Sequence, residues 1–241
     1  MILRLARYLN EEEWPGVALM VGDQLYDLEV LAAAAGEESP LDWDPLADVS
    51  WLISDPELLE FTRYVASAVE EAAPVERGTL LPPVEPPKLF CLATNFMSHM
   101  QESISRSLQG GEQTRELDTP RVFLKPTQNT VLASGEPLYL SRNARWVDYE
   151  AEMAIVIGKT AKDVPVEQAR EHIAGVTIFN DISERELHIW DRQEEREWDK
   201  FFDWLNGKWC DGFAPLGPCV VPIEDIGDPD SLDITLRLNG E

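Results

Sequence analysis

The feature that most constrains the fold is a proline-rich stretch about a third of the way along the chain. From Ala73 to Lys88, the residues Pro74, Pro82, Pro83, Pro86 and Pro87 fix an extended path. This predicts a boundary near residue 85, with a small α+β domain and its linker over 1–85 and a larger unit over 86–241. Before the boundary, Met1–Leu9 reads as a first strand and Val17–Val21 as a second. A Gly22-Asp23 turn then leads into a third strand through Leu25 and Leu28. Asp55 caps a helix opened by Pro56, and Leu58, Phe61, Thr62, Val65 and Val69 recur at helical spacing, so one amphipathic helix covers the meander.

Beyond the boundary come short apolar runs separated by turn residues: Leu89–Ala93, Arg121–Leu124, Leu138–Leu140, Met153–Ile157, Gly175–Phe179 and Leu232–Leu238. This half is mostly β. The polar stretch Ser103–Thr119, with Gly110-Gly111, reads as a mobile loop. In the last run Leu232, Ile234, Leu236 and Leu238 alternate with polar residues and meet Asn239-Gly240, which is half of a β-hairpin. The missing return strand would leave an open edge, so we expect a truncated version of something longer.

The charge balance, 20 Lys plus Arg against 45 Asp plus Glu, repels phosphate backbones and anionic lipid, which makes nucleic acid and membrane surfaces poor partners. An anionic substrate would need a local reversal of that field by a metal or by well-placed Arg and Lys. Cys91, Cys210 and Cys219 have neither a metal-ligand spacing nor an even count, and a reducing cytoplasm fits them. The first nine residues are too short for a signal-peptide core or a membrane span.

Asp148, Glu150 and Glu152 alternate into Met153–Ile157, so on a strand all three point to one face. Either water screens them or a hard divalent cation neutralises them, and from this segment alone a solvated edge-strand face is the commoner use. Asp181 ends the strand Gly175–Phe179, where it could line a pocket or serve as a turn residue or helix cap. His99 and Glu102, three apart, sit side by side on a helical turn, where the carboxylate can orient the imidazole as a base; a surface pair is the plainer alternative. Lys208 lies between Trp204 and Trp209 and could stabilise an anion, or could simply lay its stem on tryptophan. The aromatic cluster Trp190, Trp198, Phe201, Phe202 and Trp204 could line a pocket or an interface, although core packing is the commoner use.

Read in order, Asn95 to Glu102, Phe123-Leu124-Lys125-Pro126, Asp148-Tyr149-Glu150-Ala151-Glu152, Val156-Ile157-Gly158-Lys159, Asn180-Asp181-Ile182-Ser183, Gly207-Lys208 and Ala214-Pro215-Leu216-Gly217-Pro218 resemble the fumarylacetoacetate hydrolase family. The resemblance covers about residues 88–241. It implies an α+β, mostly β fold: a mixed β-sandwich or roll, usually homodimeric, preceded by a small α+β N-terminal domain. It also implies that Glu150, Glu152 and Asp181 hold Mg²⁺ or Mn²⁺, with Ca²⁺ as a further fit, and that His99 and Glu102 activate water on a lid. Arg185 and Lys208 match residues that bind the substrate oxyanion. His188 stands in the oxyanion region where the family often has Gln and is a further substrate-binding candidate, and Trp209-Cys210 replaces the more usual Ser-Phe. In the family, further strands and a Thr-Gly-Thr-Pro loop follow the Asn-Gly, so the chain reads as C-terminally truncated.

The expected activity is therefore metal-dependent cleavage of a carbon–carbon bond in a small 2-oxo or 1,3-dicarbonyl acid in the cytoplasm. The same enolate chemistry would serve an isomerase, hydratase or decarboxylase. The rivals from outside enzymology are a non-catalytic truncated binding domain and a calcium-stabilised structural domain.

Overall fold

In this computed structural model the structure describes residues 1–40, 48–93, 119–188 and 191–241. His99, Glu102, Trp190 and nearly all of the polar stretch Ser103–Thr119 lie outside the described residues.

The N-terminal meander forms as expected and gains a fourth strand. β1 (Leu5–Leu9), β2 (Pro15–Val21) and β3 (Gln24–Asp27) pair antiparallel in succession. β4 (Thr79–Leu81), drawn from the proline-rich connection, pairs with the free side of β1. Leu28 does not extend β3. The Asp27 carboxylate accepts from the amides of Glu29 and Val30 at 2.8 and 3.3 Å, which starts helix α1 (Leu28–Ala34) instead. Asp48 caps α2 (Val49–Ser54), and Asp55 caps α3 (Pro56–Val65), with Pro56 in its first turn as the sequence predicts.

After the linker, β5 (Leu89–Leu92) and β6 (Val122–Lys125) form an antiparallel pair. β7 (Val131–Leu132) runs parallel to β12 (Ala214–Pro215), and β8 (Val147–Asp148) pairs with β11 (Ser183–Glu184). β9 (Ala151–Ile157) and β10 (Ile173–Asn180) lie antiparallel in a three-stranded sheet completed by β13 (Val221–Pro222). α5 (Asp199–Asn206) lies between β11 and β12 in sequence; the short helices α4 (Val166–Ala169) and α6 (Ile223–Ile226) flank β10 and β13.

Two expected strands do not form. Leu138–Leu140 follows Pro137 and pairs with nothing described, leaving Tyr139 82% exposed; three apolar residues in a row do not supply a partner. Leu232–Leu238 also has no ladder, although Asn239 and Gly240, both at positive φ, make the expected turn and let Leu238 and Glu241 exchange backbone bonds at 3.0 and 3.1 Å.

One apolar cluster has members on both sides of residue 85. Leu5, Leu19, Leu31 and Leu52 share it with Val156, Phe179, Leu216 and Val220. Leu5 and Val220 exchange backbone hydrogen bonds at 2.9 and 2.8 Å, and Arg63 on α3 holds Asp225 on α6 at 2.7 Å. No helix among the described residues is long and apolar enough to cross a membrane.

Candidate metal centre

The pairing of β9 with β10 closes a sequence gap of about thirty residues. Glu152 faces Phe179 across the ladder, and the Asp181 amide donates to the Glu150 carbonyl at 2.9 Å. The two-residue period then puts Glu150 and Glu152 on the face that Asp181 shares. Asn180 fixes this junction by accepting from the Glu150 amide at 3.0 Å. One carboxylate oxygen from each of Glu150, Glu152 and Asp181 lies within 4.8 Å of the others. Asp148 is set apart, because β8 ends there and its carboxylate takes the Arg185 Nε at 3.0 Å.

Three cations converge on these acids. Lys208 Nζ sits 2.5 Å from Glu150 Oε2 and 2.6 Å from Asp181 Oδ2. Lys125 Nζ lies 2.5 Å from the other Asp181 oxygen and donates to the Ile182 carbonyl at 3.0 Å. Arg185 bridges Asp148 and Glu150. The Lys208 ammonium therefore ends among the acids and not in solvent. Lys208 is buried, its Nζ is 5.3 Å from the Phe123 ring centroid, and Trp204 meets that ring edge-on at 5.1 Å. Trp209 turns away and donates to the Leu124 carbonyl at 2.7 Å. Of the other aromatics, Trp198 and Phe202 are largely exposed.

Lysine 208 reaches the acids because Gly207 lets two backbones approach. A Cβ at 207 would come within 2.2 Å of the Glu184 carbonyl oxygen, while the Glu184 amide donates to the Gly207 carbonyl at 2.9 Å.

The acids are electrostatically unequal. Burial pushes the Glu150 carboxyl up, but Lys208 and then Arg185 outweigh it and hold it at about 2. Glu152 accepts no hydrogen bond among the described residues; burial first, then Asp181 and Glu150, push it up to about 7. Burial also lowers Lys125, against the pull of Asp181. The half-buried Glu152 is thus the oxygen donor whose charge is least compensated, and a hard divalent cation beside it would remove that imbalance. Three carboxylates suit Mg²⁺, Mn²⁺ or Ca²⁺ better than a soft thiolate-seeking ion.

Lys125 was not singled out as a site residue by the sequence. Besides its place in the Phe123-Leu124-Lys125-Pro126 motif, its signal is a charged residue at the inward position of an apolar strand, where Phe123 and Lys125 are buried and Val122 and Leu124 exposed. His188 pairs with Asp191 at 3.3 Å and makes no hydrogen bond to the acids among the described residues. His99 and Glu102 lie outside the described residues.

Residues 88–241 match the family model described as fumarylacetoacetate (FAA) hydrolase C-terminal. The chain belongs to the fumarylacetoacetate hydrolase family. This family member is 37% identical over 158 residues to an uncharacterised protein of Pyrococcus abyssi, covering 66% of this chain and 63% of that one. It is 29% identical over 232 residues to the mitochondrial oxaloacetate tautomerase Fahd2a of Rattus norvegicus, covering 96% and 65%. The chain thus spans slightly less than two thirds of these curated relatives. Among solved structures it resembles maleylpyruvate hydrolase from Sphingobium sp. SYK-6, a complex with manganese(II) and pyruvate, at a TM-score of 0.59 and 24% identity, covering 94% of this chain and 69% of that one. A fumarylacetoacetate hydrolase from Exiguobacterium antarcticum aligns at 0.55 and 22%, covering 94% and 69%. These likenesses establish the fold expected from the sequence: α+β, with more strand than helix.

Proposed function

We propose that this fumarylacetoacetate hydrolase family member is a divalent-metal-dependent hydrolase that cleaves a carbon–carbon bond in a small 2-oxo or 1,3-dicarbonyl acid. The observation that carries this reading is the convergence of Glu150, Glu152 and Asp181 with the buried Lys125 and Lys208 and the partly exposed Arg185. A protein of net charge −25 repels small organic anions over most of its surface. At this cluster three acids meet three cations, and a divalent ion would leave the site locally positive, as an oxo-acid anion requires.

Glu150, Glu152 and Asp181 would hold Mg²⁺ or Mn²⁺, which supplies Lewis-acid polarisation of adjacent substrate oxygens when bound. Lys125 keeps Asp181 oriented through its buried ammonium. Lys208 holds positive charge where the enolate develops, and Arg185 takes the substrate carboxylate, with His188 at the outer end of the same segment. His99, oriented by Glu102, accepts a proton from water as the water oxygen bonds to the distal carbonyl carbon. The carbon–carbon bond then breaks, its electron pair stays on the 2-oxo-acid fragment, and that carbon takes a proton while the other fragment leaves as a carboxylic acid. The reading includes a cytoplasmic homodimer.

A second reading is keto–enol isomerisation of a 2-oxo diacid, favoured by the match to the rat oxaloacetate tautomerase over 96% of the chain. It uses the same acids and Lys208 but only moves a proton between carbon and oxygen. Assaying acylpyruvate cleavage and oxaloacetate enolisation side by side with Mn²⁺ separates the two. Hydrolysis predicts acylpyruvate turnover that Glu150→Ala and His99→Ala each abolish; enolisation alone, unaffected by His99→Ala, would replace hydrolysis with the second reading.

A further inference from the structure

Glu184 carries a buried carboxylate that none of these steps uses. It is 3% exposed, yet its hydrogen bonds go to backbone amides: Oε2 accepts from Arg145 at 2.9 Å, and Oε1 accepts from Trp146 and Glu186, each at 2.8 Å. Each of these donors belongs to the frame around Arg185. The Arg185 amide donates to the Trp146 carbonyl at 2.8 Å, and the β8–β11 ladder sets Glu184 against Val147 and Ser183 against Asp148. Asp148 in turn receives the Arg185 Nε at 3.0 Å. The Glu184 backbone closes the other wall through its bond to Gly207, next to Lys208.

The Arg185 guanidinium is therefore gripped along one edge. Nε and Nη2 are engaged by Asp148 and Glu150, whereas Nη1 has no hydrogen bond among the described residues and the side chain is 20% exposed. An arginine fixed in this way offers one open edge to a planar anion.

We propose that Glu184 is a positioning residue which, by clamping the 145–148 segment, aims the open edge of Arg185 at the carboxylate of a small 2-oxo acid. This rests on the reading of Arg185 as the substrate-carboxylate ligand. The buried carboxylate acts through main-chain amides two and three residues before Asp148, so its loss slackens Asp148, and Asp148 then frees the guanidinium to rotate. Glu184 makes no hydrogen bond to Glu150, Glu152 or Asp181 among the described residues, and Glu150, the one ligand that Arg185 touches, is held by Lys208 as well, so the route reaches metal affinity only weakly.

The test uses the full chain and three readouts: Mn²⁺ affinity by electron paramagnetic resonance, oxalate affinity of the Mn²⁺-loaded protein by calorimetry, and amide exchange over 145–148. Glu184→Gln keeps the shape but leaves one acceptor oxygen in place of two. We expect it to hold Mn²⁺ within about twofold of the parent, to bind oxalate about tenfold more weakly, in the range typical of lost outer contacts, and to exchange faster at Arg145. Arg185→Ala should bind oxalate more weakly still, and adding Glu184→Gln to it should cost nothing further. Additive losses, unchanged oxalate binding in Glu184→Gln, or equal weakening of Mn²⁺ and oxalate would each overturn the assignment. A parent protein that loads Mn²⁺ but ignores oxalate would instead remove the Arg185 reading, and this inference with it, before any variant is made.

Discussion

The N-terminal sheet and the carboxylate face of β9 and β10 fill their interiors by opposite means. Around β1 and β2 the inward positions are Leu5, Val17 and Leu19, covered by Leu31 and Leu52 from the helices, and the buried Arg7 of β1 carries its charge outward to the exposed Glu85 at 2.8 Å. On the β9–β10 face the inward positions include Glu152 and Asp181, met by Lys125 and Lys208. Apolar burial accumulates with area and each residue adds its share. A buried ionic cluster is worth little as a whole and depends on completeness, because removing one member strands the others away from water.

The contrast predicts where single substitutions hurt most. Asp181→Asn leaves two buried ammonium groups short of a carboxylate, so we expect a loss of about 3–5 kcal/mol in denaturant unfolding and no rise in melting temperature on adding Mn²⁺. An intact Mn²⁺ response in this variant would contradict the triad. Leu31→Ala, at a fully buried position on α1, should cost about 2–5 kcal/mol by transfer and cavity terms while preserving the Mn²⁺ response of the molecules that remain folded.

The same contrast explains what the sequence revealed. Periodicity exposes apolar burial, so β2, β9, β10 and the Asp55-capped helix were all legible from alternation, spacing and cap chemistry. Alternation also put Glu150 and Glu152 on one face, but nothing local distinguishes a solvated acid from a liganding one; Asp181 joined them only through ordered motifs and then through strand pairing. Lys125, although it sits in one of those motifs, and Glu184 were given no role for a related reason. A buried charge is tolerated because of partners distant in sequence, 56 residues away for Lys125 and Asp181. Leu232–Leu238 shows the converse limit, since alternation describes what a strand could bury and not whether a neighbour exists.

Glu152 gives a smaller and pH-dependent effect. Its carboxyl is raised from an ordinary 4.5 to about 7, so folding favours the protonated form. That contribution is fully present below the unfolded value and disappears as pH climbs through about 7, a change on the order of 2 kcal/mol for the metal-free protein. Melts from pH 5 to 8 should show this decline in the parent and a flatter profile in Glu152→Gln. Mn²⁺ should stabilise the parent most above pH 7, where protons no longer compete for the carboxylate. Identical pH profiles for the two proteins would mean that Glu152 is as well solvated as a surface acid.

The smallest expected effect tests whether the two regions are separate at all. Asp55 accepts from the amides of Glu57 and Leu58 at 2.9 and 3.2 Å in an exposed cap, so Asp55→Ala should cost about 1 kcal/mol. Its helix also carries Arg63, whose guanidinium holds Asp225, and Asp225 accepts from the Leu3 amide at 2.9 Å beside the strand that meets Val220. Fraying of the first turn leaves Arg63, in the last turn, in place, so Mn²⁺ affinity measured by titration should not move. If it falls with the cap, α3 and the carboxylate face respond as one cooperative unit through the shared core, and the contrast between apolar scaffold and ionic site becomes a difference of chemistry within a single folding unit.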